Sequence, residues 1–333
     1  METTERGLTA FEARNPDRIR DLLLLDPYLH LYELGDLDPF FWPSTRWFVL
    51  DECVALLYTA AGSSVLICLT REPEPGRRLL QSIRDDLPDQ VYSHLTPGLF
   101  DALEPRFEAV TFGQYQKMSL RGLGPTGPAD RGEGSAGHAD SAGRADSARH
   151  ADAAGRADSA GRADPADRAD LRQPVPHAPV VISLLPSDVD EVKEFYARAY
   201  PANWFDPRML ETGCYFGIRE SGEVRAGRGA DPSPRVGGDL LSVGGIHVYS
   251  PQERVGVLGN VATLPEARGR GLGTRVCREL CRKLAGEGLR IGLNVARENR
   301  AAIRCYASIG FVHEADYEER SIRIRRASPR VSE

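Results

Sequence analysis

Apolar residues that recur at helical spacing, and short apolar runs between turn residues, predict the elements of the C-terminal region. The clearest helical repeat falls on residues spaced four apart, namely Leu272, Val276, Leu280 and Leu284. This repeat predicts an amphipathic helix that packs on a core. The other predicted elements are strands at 180–184, 214–219, 241–249, 255–263 and 289–295, helices at 186–200 and 300–309, and a final strand or hairpin to Ile324. Ser187 is predicted to cap the first of these helices, and Gly310 to end the second.

The N-terminal region shows a similar mixture of patterns. The predicted elements are helices at 17–31 and 76–85 and strands at 47–50, 54–59, 65–69 and 110–120. An antiparallel meander precedes one helical crossover in the C-terminal region, which favours a mixed sheet over a purely parallel one. We therefore predict an α/β (α+β) fold with a mixed, mostly antiparallel sheet flanked by helices.

Between the two regions, the tripeptide His/Arg-Ala-Asp returns every six residues from 138 to 168. Apart from Pro165, every position is a small or charged residue, so this segment cannot bury enough apolar surface to offset the entropy of ordering. A disordered linker is predicted, with a partly helical alanine-rich spacer as the alternative. The predicted organisation is a domain at 1–122, a linker at 123–179, a domain at 180–326 and a flexible tail at 327–333.

Charge and cysteine content narrow the class of protein. The formal net charge of −6 gives no indication of nucleic-acid binding. The six cysteines form no CxxC pair, which predicts reduced, buried thiols and no metal site. The N-terminus lacks a secretion signal, and the longest leucine run, 22–25, is too short to span a bilayer. We expect a cytoplasmic protein that binds no membrane, either a monomer or a homodimer.

A glycine-rich turn at 269–273 lies where a predicted strand meets a predicted helix. Glycines allow backbone amides to close around an anion, and the first amides of the helix point at the same place. No lysine follows as a P-loop requires, and the third glycine comes one residue too early for a dinucleotide fingerprint. A diphosphate cradle is predicted; the alternative is a simple turn with solvated arginines.

Two motifs in this region resemble those of the GNAT superfamily of acyl-CoA N-acyltransferases. Arg268, Gly271 and Gly273 match the pattern Arg/Gln-x-x-Gly-x-Gly/Ala. Further along, Asn299, Ala302 and Tyr306 match Asn-x-x-Ala-x-x-x-Tyr, and Gly310-Phe311 follows at the family's position. The resemblance covers about 180–325 and is strongest over 255–312.

The resemblance implies an acetyl-CoA (coenzyme A) cofactor held by the strand, the glycine turn and the next strand and helix. The implied cofactor-binding residues are Val261, Ala262, Thr263, Arg268, Gly269, Arg270, Gly271, Leu272, Gly273, Thr274, Asn294 and Asn299. It also implies a bulge at Gly259-Asn260 where two strands part. Tyr306 would protonate the leaving thiolate; alternatively, it is a packed core aromatic.

Many relatives carry a glutamate early on the strand before the turn, whereas this chain has Val257, Leu258 and Gly259 there. His247 is the candidate catalytic base, although a strand histidine is more often structural; Glu253 and Glu318 are weaker candidates. For the amine acceptor, either a small molecule or a peptide or protein amine, the resemblance points to the end of the 186–200 helix. The candidate contacts are Tyr196, Tyr200, Trp204 and Phe205, and the alternative is that this segment simply packs on the sheet.

The sequence thus predicts an N-acetyltransferase in which the amine attacks acetyl-CoA directly in a ternary complex. The alternatives are a non-catalytic acyl-CoA sensor or scaffold and, more remotely, a nucleotide-binding protein. In the N-terminal region, prolines at 73 and 75 replace the glycine turn and remove amide donors. That region is therefore interpreted as a degenerate copy of the same fold, retained to pack against the C-terminal domain or to shape the acceptor pocket.

Overall fold

The computed structural model describes residues 10–60, 62–124, 180–201, 203, 205–220 and 238–325. The predicted linker from 125 onward, residues 221–237 and the predicted tail lie outside these residues. Among the described residues, no helix combines the length and the apolar character needed to cross a bilayer.

The N-terminal half contains three helices and six strands. In chain order they are β1 (Phe11–Ala13), α1 (Pro16–Leu23), α2 (Leu31–Gly35), β2 (Thr45–Leu50), β3 (Cys53–Ala60), β4 (Ser63–Cys68), α3 (Pro73–Ile83), β5 (Gln90–Leu95) and β6 (Phe107–Leu120). The sequence did not predict β1 or β5.

The C-terminal half repeats this order of strands and of the helix that joins the parallel pair, but it has one α-helix before its meander and an additional one before its last strand. Its members are β7 (Val181–Ser183), α4 (Val189–Ala199), β8 (Phe216–Arg219), β9 (Leu240–Ser250), β10 (Val255–Thr263), α5 (Leu272–Gly286), β11 (Arg290–Ala296), α6 (Arg300–Ile309) and β12 (Phe311–Ile324). The last element is one strand, which resolves the choice between strand and hairpin.

Two predictions of local structure are wrong. The helix predicted over 17–31 ends at Leu23, and α2 begins only at Leu31, because Pro27 lacks an amide hydrogen and would clash with the carbonyl of Leu23. Ser187 does not cap α4; it lies inside a 3-10 turn, and Asp188 is the cap residue. The helix predicted over 76–85 begins earlier, at Pro73, because proline suits the first turn of a helix.

All twelve strands of the described residues form one sheet, in the order β1-β2-β3-β4-β5-β12-β6-β11-β10-β9-β8-β7. Each half contributes antiparallel strands, then a helix, then one parallel strand, giving the parallel pairs β4·β5 and β10·β11. The predicted mixed, mostly antiparallel α/β sheet flanked by helices is confirmed.

The two halves exchange their last strands. The N-terminal β6 pairs with β11 and β12 of the other half, while β12 pairs with both β5 and β6. The β6·β12 ladder runs from Phe107 opposite Ile324 to Leu120 opposite Phe311. Each half therefore completes the backbone pairing of the other.

Helix α5 covers one face of the C-terminal strands. Its apolar repeat is buried, together with Cys277 and Cys281. Arg278, on the same helix, is 6% exposed and donates to the carbonyls of Gly124 and Ser308 at 3.1 and 3.4 Å. Those carbonyls lie at the end of the N-terminal half and on α6, which a helical wheel cannot anticipate.

Helix α2 of the N-terminal half covers the opposite face. A Cβ atom on Gly292 of β11 would lie 2.2 Å from Leu31, and one on Gly35 would lie 2.2 Å from Val248 of β9. Under the helix, Lys117 of β6 lies 3.4 Å from the Glu33 carboxylate and donates to the Leu29 carbonyl at 2.6 Å. Burial alone would raise the pKa of Glu33, but Lys117 and a hydrogen bond from His30 lower it to about 2.

We predict that residues 179–333 produced alone do not fold cooperatively. Without β6, strands β11 and β12 lose their shared neighbour, and without α2 the apolar Val255 and Val257 lose their cover. Thermal unfolding followed by near-ultraviolet circular dichroism is the measurement, and adding separately produced 1–125 should restore a cooperative transition. A sharp transition for the isolated half would contradict the prediction.

Candidate functional site

The two central strands of the C-terminal half separate along their length. β10 and β11 pair only through Val255–Leu258 and 290–293. Beyond these residues β10 pairs with β9 on its other side, and Asn294–Ala296 pairs with β6. The facing edges therefore open into a wedge, bordered by main-chain groups of 259–263 and 294–296.

A bulge sets the position of this wedge, as the sequence predicted for Gly259-Asn260. The register between β10 and β9 shifts between Gly259 and Ala262, and Asn260 adopts a φ of 55°. The side-chain amide of Asn260 donates to the Tyr215 hydroxyl at 2.9 Å, and the Tyr196 hydroxyl donates to the main-chain carbonyl of Asn260 at 2.6 Å. These bonds fix a left-handed residue that would otherwise be unfavourable.

The glycine turn stands at the open end of β10. Gly269 and Gly271 have φ values of 77° and 70°, and a Cβ atom on either would meet no atom within 4 Å. Gly271 is the N-cap of α5 and supplies no side chain to cap it; the helix's own ladder starts with the Arg275 amide bonding to Gly271. The amides of Leu272, Gly273 and Thr274 precede this ladder, as the first amides of a helix do.

The turn is anchored to the end of the strand. The Arg268 side chain donates to the Thr263 carbonyl at 3.3 Å, and a Cβ atom on Gly273 would lie 3.4 Å from the Thr263 hydroxyl. Arg270 is exposed on the same turn. The strand that carries the predicted residues Val261, Ala262 and Thr263 therefore leads directly to the predicted residues on the turn.

Of the predicted residues on β11 and α6, Asn294 and Tyr306 are buried or nearly so. Asn294 is the first β11 residue past the paired stretch, and its buried side-chain oxygen has no hydrogen-bond donor among the described residues. Tyr306 packs edge-on against Phe311 at 5.8 Å. Burial raises the pKa of Tyr306 well above its ordinary value, so its hydroxyl keeps its proton at neutral pH. Asn299 caps α6, accepting from the Ala302 amide at 3.1 Å.

His247 lies directly beside the wedge. It occupies the register shift of β9, and its ring fills the space that a side chain on Gly259 would need: a Cβ atom there would lie 1.9 Å from the ring. Burial lowers the pKa of His247, so the ring is neutral at pH 7. The weaker candidates are held in ion pairs, Glu253 with Arg20 at 2.7 Å and Glu318 with Arg320 at 2.6 Å.

The predicted acceptor residues are placed differently from one another. Tyr196 is 5% exposed, with its hydroxyl on the bulge, and Phe205 packs between Tyr196 and Tyr215 with centroid distances of 5.4 and 5.6 Å. Tyr200, at the end of α4, is 48% exposed. Trp204 lies outside the described residues. Tyr196 and Phe205 thus belong to the packing that supports the bulge, whereas Tyr200 is at the surface.

The sequence analysis expected the N-terminal half to pack against the C-terminal half or to shape the acceptor pocket, but it named no residues that would do so. Tyr32 and Asp36 lie one helical turn apart along α2, which crosses the wedge-bearing strands on the face opposite α5. Further along, Phe40 lies 6.0 Å from the Arg208 guanidinium of the C-terminal half. No local pattern indicates these residues, because more than 200 positions separate them from the wedge in the chain.

The corresponding place in the N-terminal half is closed. β4 and β5 pair up to their last residues, Cys68 and Leu95, and the Thr96 amide continues the ladder to the Cys68 carbonyl at 3.2 Å. Thr96 also accepts from the Thr70 amide at 2.9 Å. With Pro73 opening α3 in place of a glycine turn, this half has the topology of the site without its crevice.

Comparisons with known proteins agree with this geometry. Residues 186–311 match the acetyltransferase (GNAT) family model. Among solved structures, the chain is similar to a GCN5-related N-acetyltransferase from Sphaerobacter thermophilus (13% identity, 98% of each chain covered, TM-score 0.51). It is also similar to a Drosophila protein (12% identity, 95% of this chain and 98% of that chain, TM-score 0.53). A comparison with curated protein sequences gives no match.

A mixed sheet with parted parallel strands, followed by an open glycine turn and a helix, defines the class of α/β fold to which the described residues belong. Residues 186–311 are, more particularly, a GNAT acetyltransferase domain. The similarity to the solved structures, at such low identity, shows the fold alone.

We predict that Gly271→Glu weakens acetyl-CoA binding at least 100-fold. The added side chain fills the open space before α5, and like charges about 4 Å apart near a protein surface repel by roughly 4 kcal/mol, equivalent to more than two decades of affinity. Isothermal titration with acetyl-CoA is the measurement. Gly62→Glu is the matched control, because Gly62 has a similar φ of 79° and equally open space but lies in the β3–β4 hairpin. Equal affinities for the two variants would refute the cradle.

Proposed function

We propose that the protein is an acetyl-CoA-dependent N-acetyltransferase whose active site is the wedge between β10 and β11. The observation that carries the proposal is the alignment of three features: unpaired strand edges, a turn with open space in front of its glycines, and an uncapped helix end. A diphosphate needs amide donors and a positive helix end, and a linear amide-bearing arm needs a free strand edge.

The residues around the wedge fit such a coenzyme. Main-chain amides of Gly271, Leu272 and Gly273, with Arg268 and Arg270 nearby, would hold the diphosphate. The free edge of Gly259–Thr263 would pair with the amides of the pantetheine arm, as an added strand does. The buried oxygen of Asn294, which lacks a protein donor, would accept a hydrogen bond from the bound molecule.

When bound, acetyl-CoA supplies the acetyl thioester to be transferred. The amide near Val261, at the bulge, would polarise the thioester oxygen, since the bulge turns a main-chain donor out of the ladder. Tyr306 would donate its proton to the departing thiolate, because burial keeps that hydroxyl protonated. Neutral His247, packed on Gly259, can accept a proton near the same point.

The acceptor would be an amine, either on a small molecule or on a peptide or protein. It would enter from the face opposite α5, between Tyr200 and the Phe205 segment on one side and α2 on the other. Asn203 lies in the loop between them, and both polar atoms of its side chain are buried without a partner among the described residues. This is a second place where a ligand could complete unsatisfied hydrogen bonds.

A second candidate function is an acyl-CoA sensor or scaffold without catalysis. The absence of a carboxylate at Val257, Leu258 and Gly259 favours it, because the position that often carries the base is apolar here. Amine-dependent release of the CoA thiol separates the two functions: a transferase releases thiol faster when amine is added, whereas a sensor binds acetyl-CoA and shows no such increase.

We predict that Tyr306→Phe lowers kcat by about 100-fold or more, the usual effect of removing a general acid, while the Kd for acetyl-CoA changes less than about twofold. Thiol release and calorimetric titration measure the two quantities. Tyr249→Phe is the control, since the Tyr249 hydroxyl bonds to Glu287 away from the wedge at 2.9 Å. If Tyr306→Phe turns over like Tyr249→Phe, Tyr306 is only a packing residue.

A further inference from the structure

We propose that Asp36, supplied by the N-terminal half, binds the acceptor's ammonium group at the wedge and removes its proton. The inference rests on the proposed function and assigns a carboxylate base, which the C-terminal half lacks at Val257, Leu258 and Gly259. It also gives the substrate class: an acceptor that arrives as a cationic primary amine.

The position of α2 places Asp36 one residue from a contact with the strands that bear the wedge. Leu31 packs on Gly292 of β11, and Gly35 packs on Val248 of β9 and Val255 of β10, so the helix lies across the strands that part beyond Leu258. Asp36 follows Gly35, and His247 precedes Val248. Asp36 and His247 are therefore each one residue, about 3.8 Å of chain, from the contact between Gly35 and Val248. Along β9, His247 lies on the side of that contact that is nearer to the wedge.

The flank of α2 that carries Asp36 faces the reacting groups. Tyr32 and Asp36, four residues apart, share this flank, whereas Leu31 and Gly35 face the sheet. Burial raises the pKa of Tyr306, and the nearby Tyr32 hydroxyl contributes to that rise. Tyr32 and Tyr306 therefore lie within range of an electrostatic interaction with each other.

The Asp36 carboxylate has no counter-ion of its own. It is half-buried, and within the described part of the chain no donor or cationic nitrogen contacts it. Lys117, the nearest cation, is already held by Glu33 and the Leu29 carbonyl. The other titratable groups facing it are Tyr32 on its own helix and Tyr58 on β3. An ammonium group is the missing partner that this environment would favour.

The charge balance suits proton removal from an amine. Burial raises the pKa of Asp36 to about 8, the charge of Glu33 adds to the rise, and Lys117 opposes it. An alkylammonium loses its proton near pH 10, so a carboxylate with an ordinary pKa near 4 would be a far weaker acceptor. Asp36 is therefore a base close in strength to its substrate, as general-base catalysis requires.

The transfer conserves atoms and charge. One ammonium proton passes to the Asp36 carboxylate and later to solvent. The neutral nitrogen forms the N–C bond, the C–S bond breaks, and Tyr306 gives its proton to the sulfur. The second nitrogen proton restores Tyr306, leaving an amide, the free thiol and one released proton. No oxidant or further reactant is needed.

The test compares full-length Asp36→Asn with Asp38→Asn. Asp38 lies on the same segment, but its carboxylate is bound by the Phe40 amide at 3.1 Å and by Ser250 at 3.3 Å. Acetyl-CoA affinity is measured by calorimetry, and thiol release is measured with spermidine, lysine amide and glucosamine as probe amines. We expect Asp36→Asn to keep the affinity within about twofold and to lose at least about 100-fold in turnover with every amine that the wild type accepts. Its rate should also lose the rise with pH that deprotonation of Asp36 imposes.

Thermal stability gives a readout that needs no acceptor. Because folding raises the pKa of Asp36, the folded state is favoured by protonation, and stability is lost as pH rises from about 4 to about 8. Asp36→Asn should match the wild type at pH 4 and exceed its Tm by at least about 2 °C at pH 8.5. A purely structural carboxylate would give the opposite sign.

The outcomes separate this inference from the proposed function. A wild type that binds no acetyl-CoA overturns the transferase and the base role together. Binding without any amine-dependent thiol release overturns the base role and favours the sensor. Turnover by Asp36→Asn within about threefold of the wild type, or a lower Tm at pH 8.5, overturns the role of Asp36 while leaving the transferase in place.

Discussion

The pairing of β6 with β11 is the constraint on which the C-terminal site depends. Two adjacent strands can part only if each keeps its main-chain hydrogen bonds on the other side, since unpaired buried backbone groups are costly. β10 is held by β9, and Asn294–Ala296 of β11 is held by residues 115–117 of β6. The outer support of the wedge therefore comes from the N-terminal half, and the strand exchange makes that support part of a continuous sheet.

The two halves share the order of their strands and of the helix that joins each parallel pair. They differ where those parallel strands end and where that helix begins. In the C-terminal half, a left-handed Asn260 and a glycine turn keep the parallel strands apart and leave the helix end open. In the N-terminal half, Thr96 closes the ladder and Pro73 begins the helix. The N-terminal half then serves as a scaffold, supplying a sheet strand and the cover of one face.

That cover carries an unusual distribution of charge. Lys117 and Glu33 are buried as a pair beneath α2, and breaking such a pair leaves an uncompensated charge. Asp36, one turn away, has a carboxylate without a partner, which lowers the stability of the folded state at neutral pH. Groups that destabilise a fold in this way are common where a protein binds or transforms a charged ligand. The region of α2 therefore combines a satisfied ion pair, Lys117 with Glu33, and the unsatisfied acid Asp36.

The sequence predicted the class of fold and the cofactor side of the candidate site, because both are local. Four-residue spacing identified α5, glycine spacing identified the turn, and Gly259-Asn260 identified the bulge. The errors at Pro27 and Ser187 concern only where a helix ends or begins. Tertiary structure alone decided the strand exchange, the burial of Arg278 and the position of α2 across β9, β10 and β11. Pairing between strands more than 170 residues apart leaves no periodic trace in either segment, since a strand's own pattern records which face is buried and not which neighbour it meets.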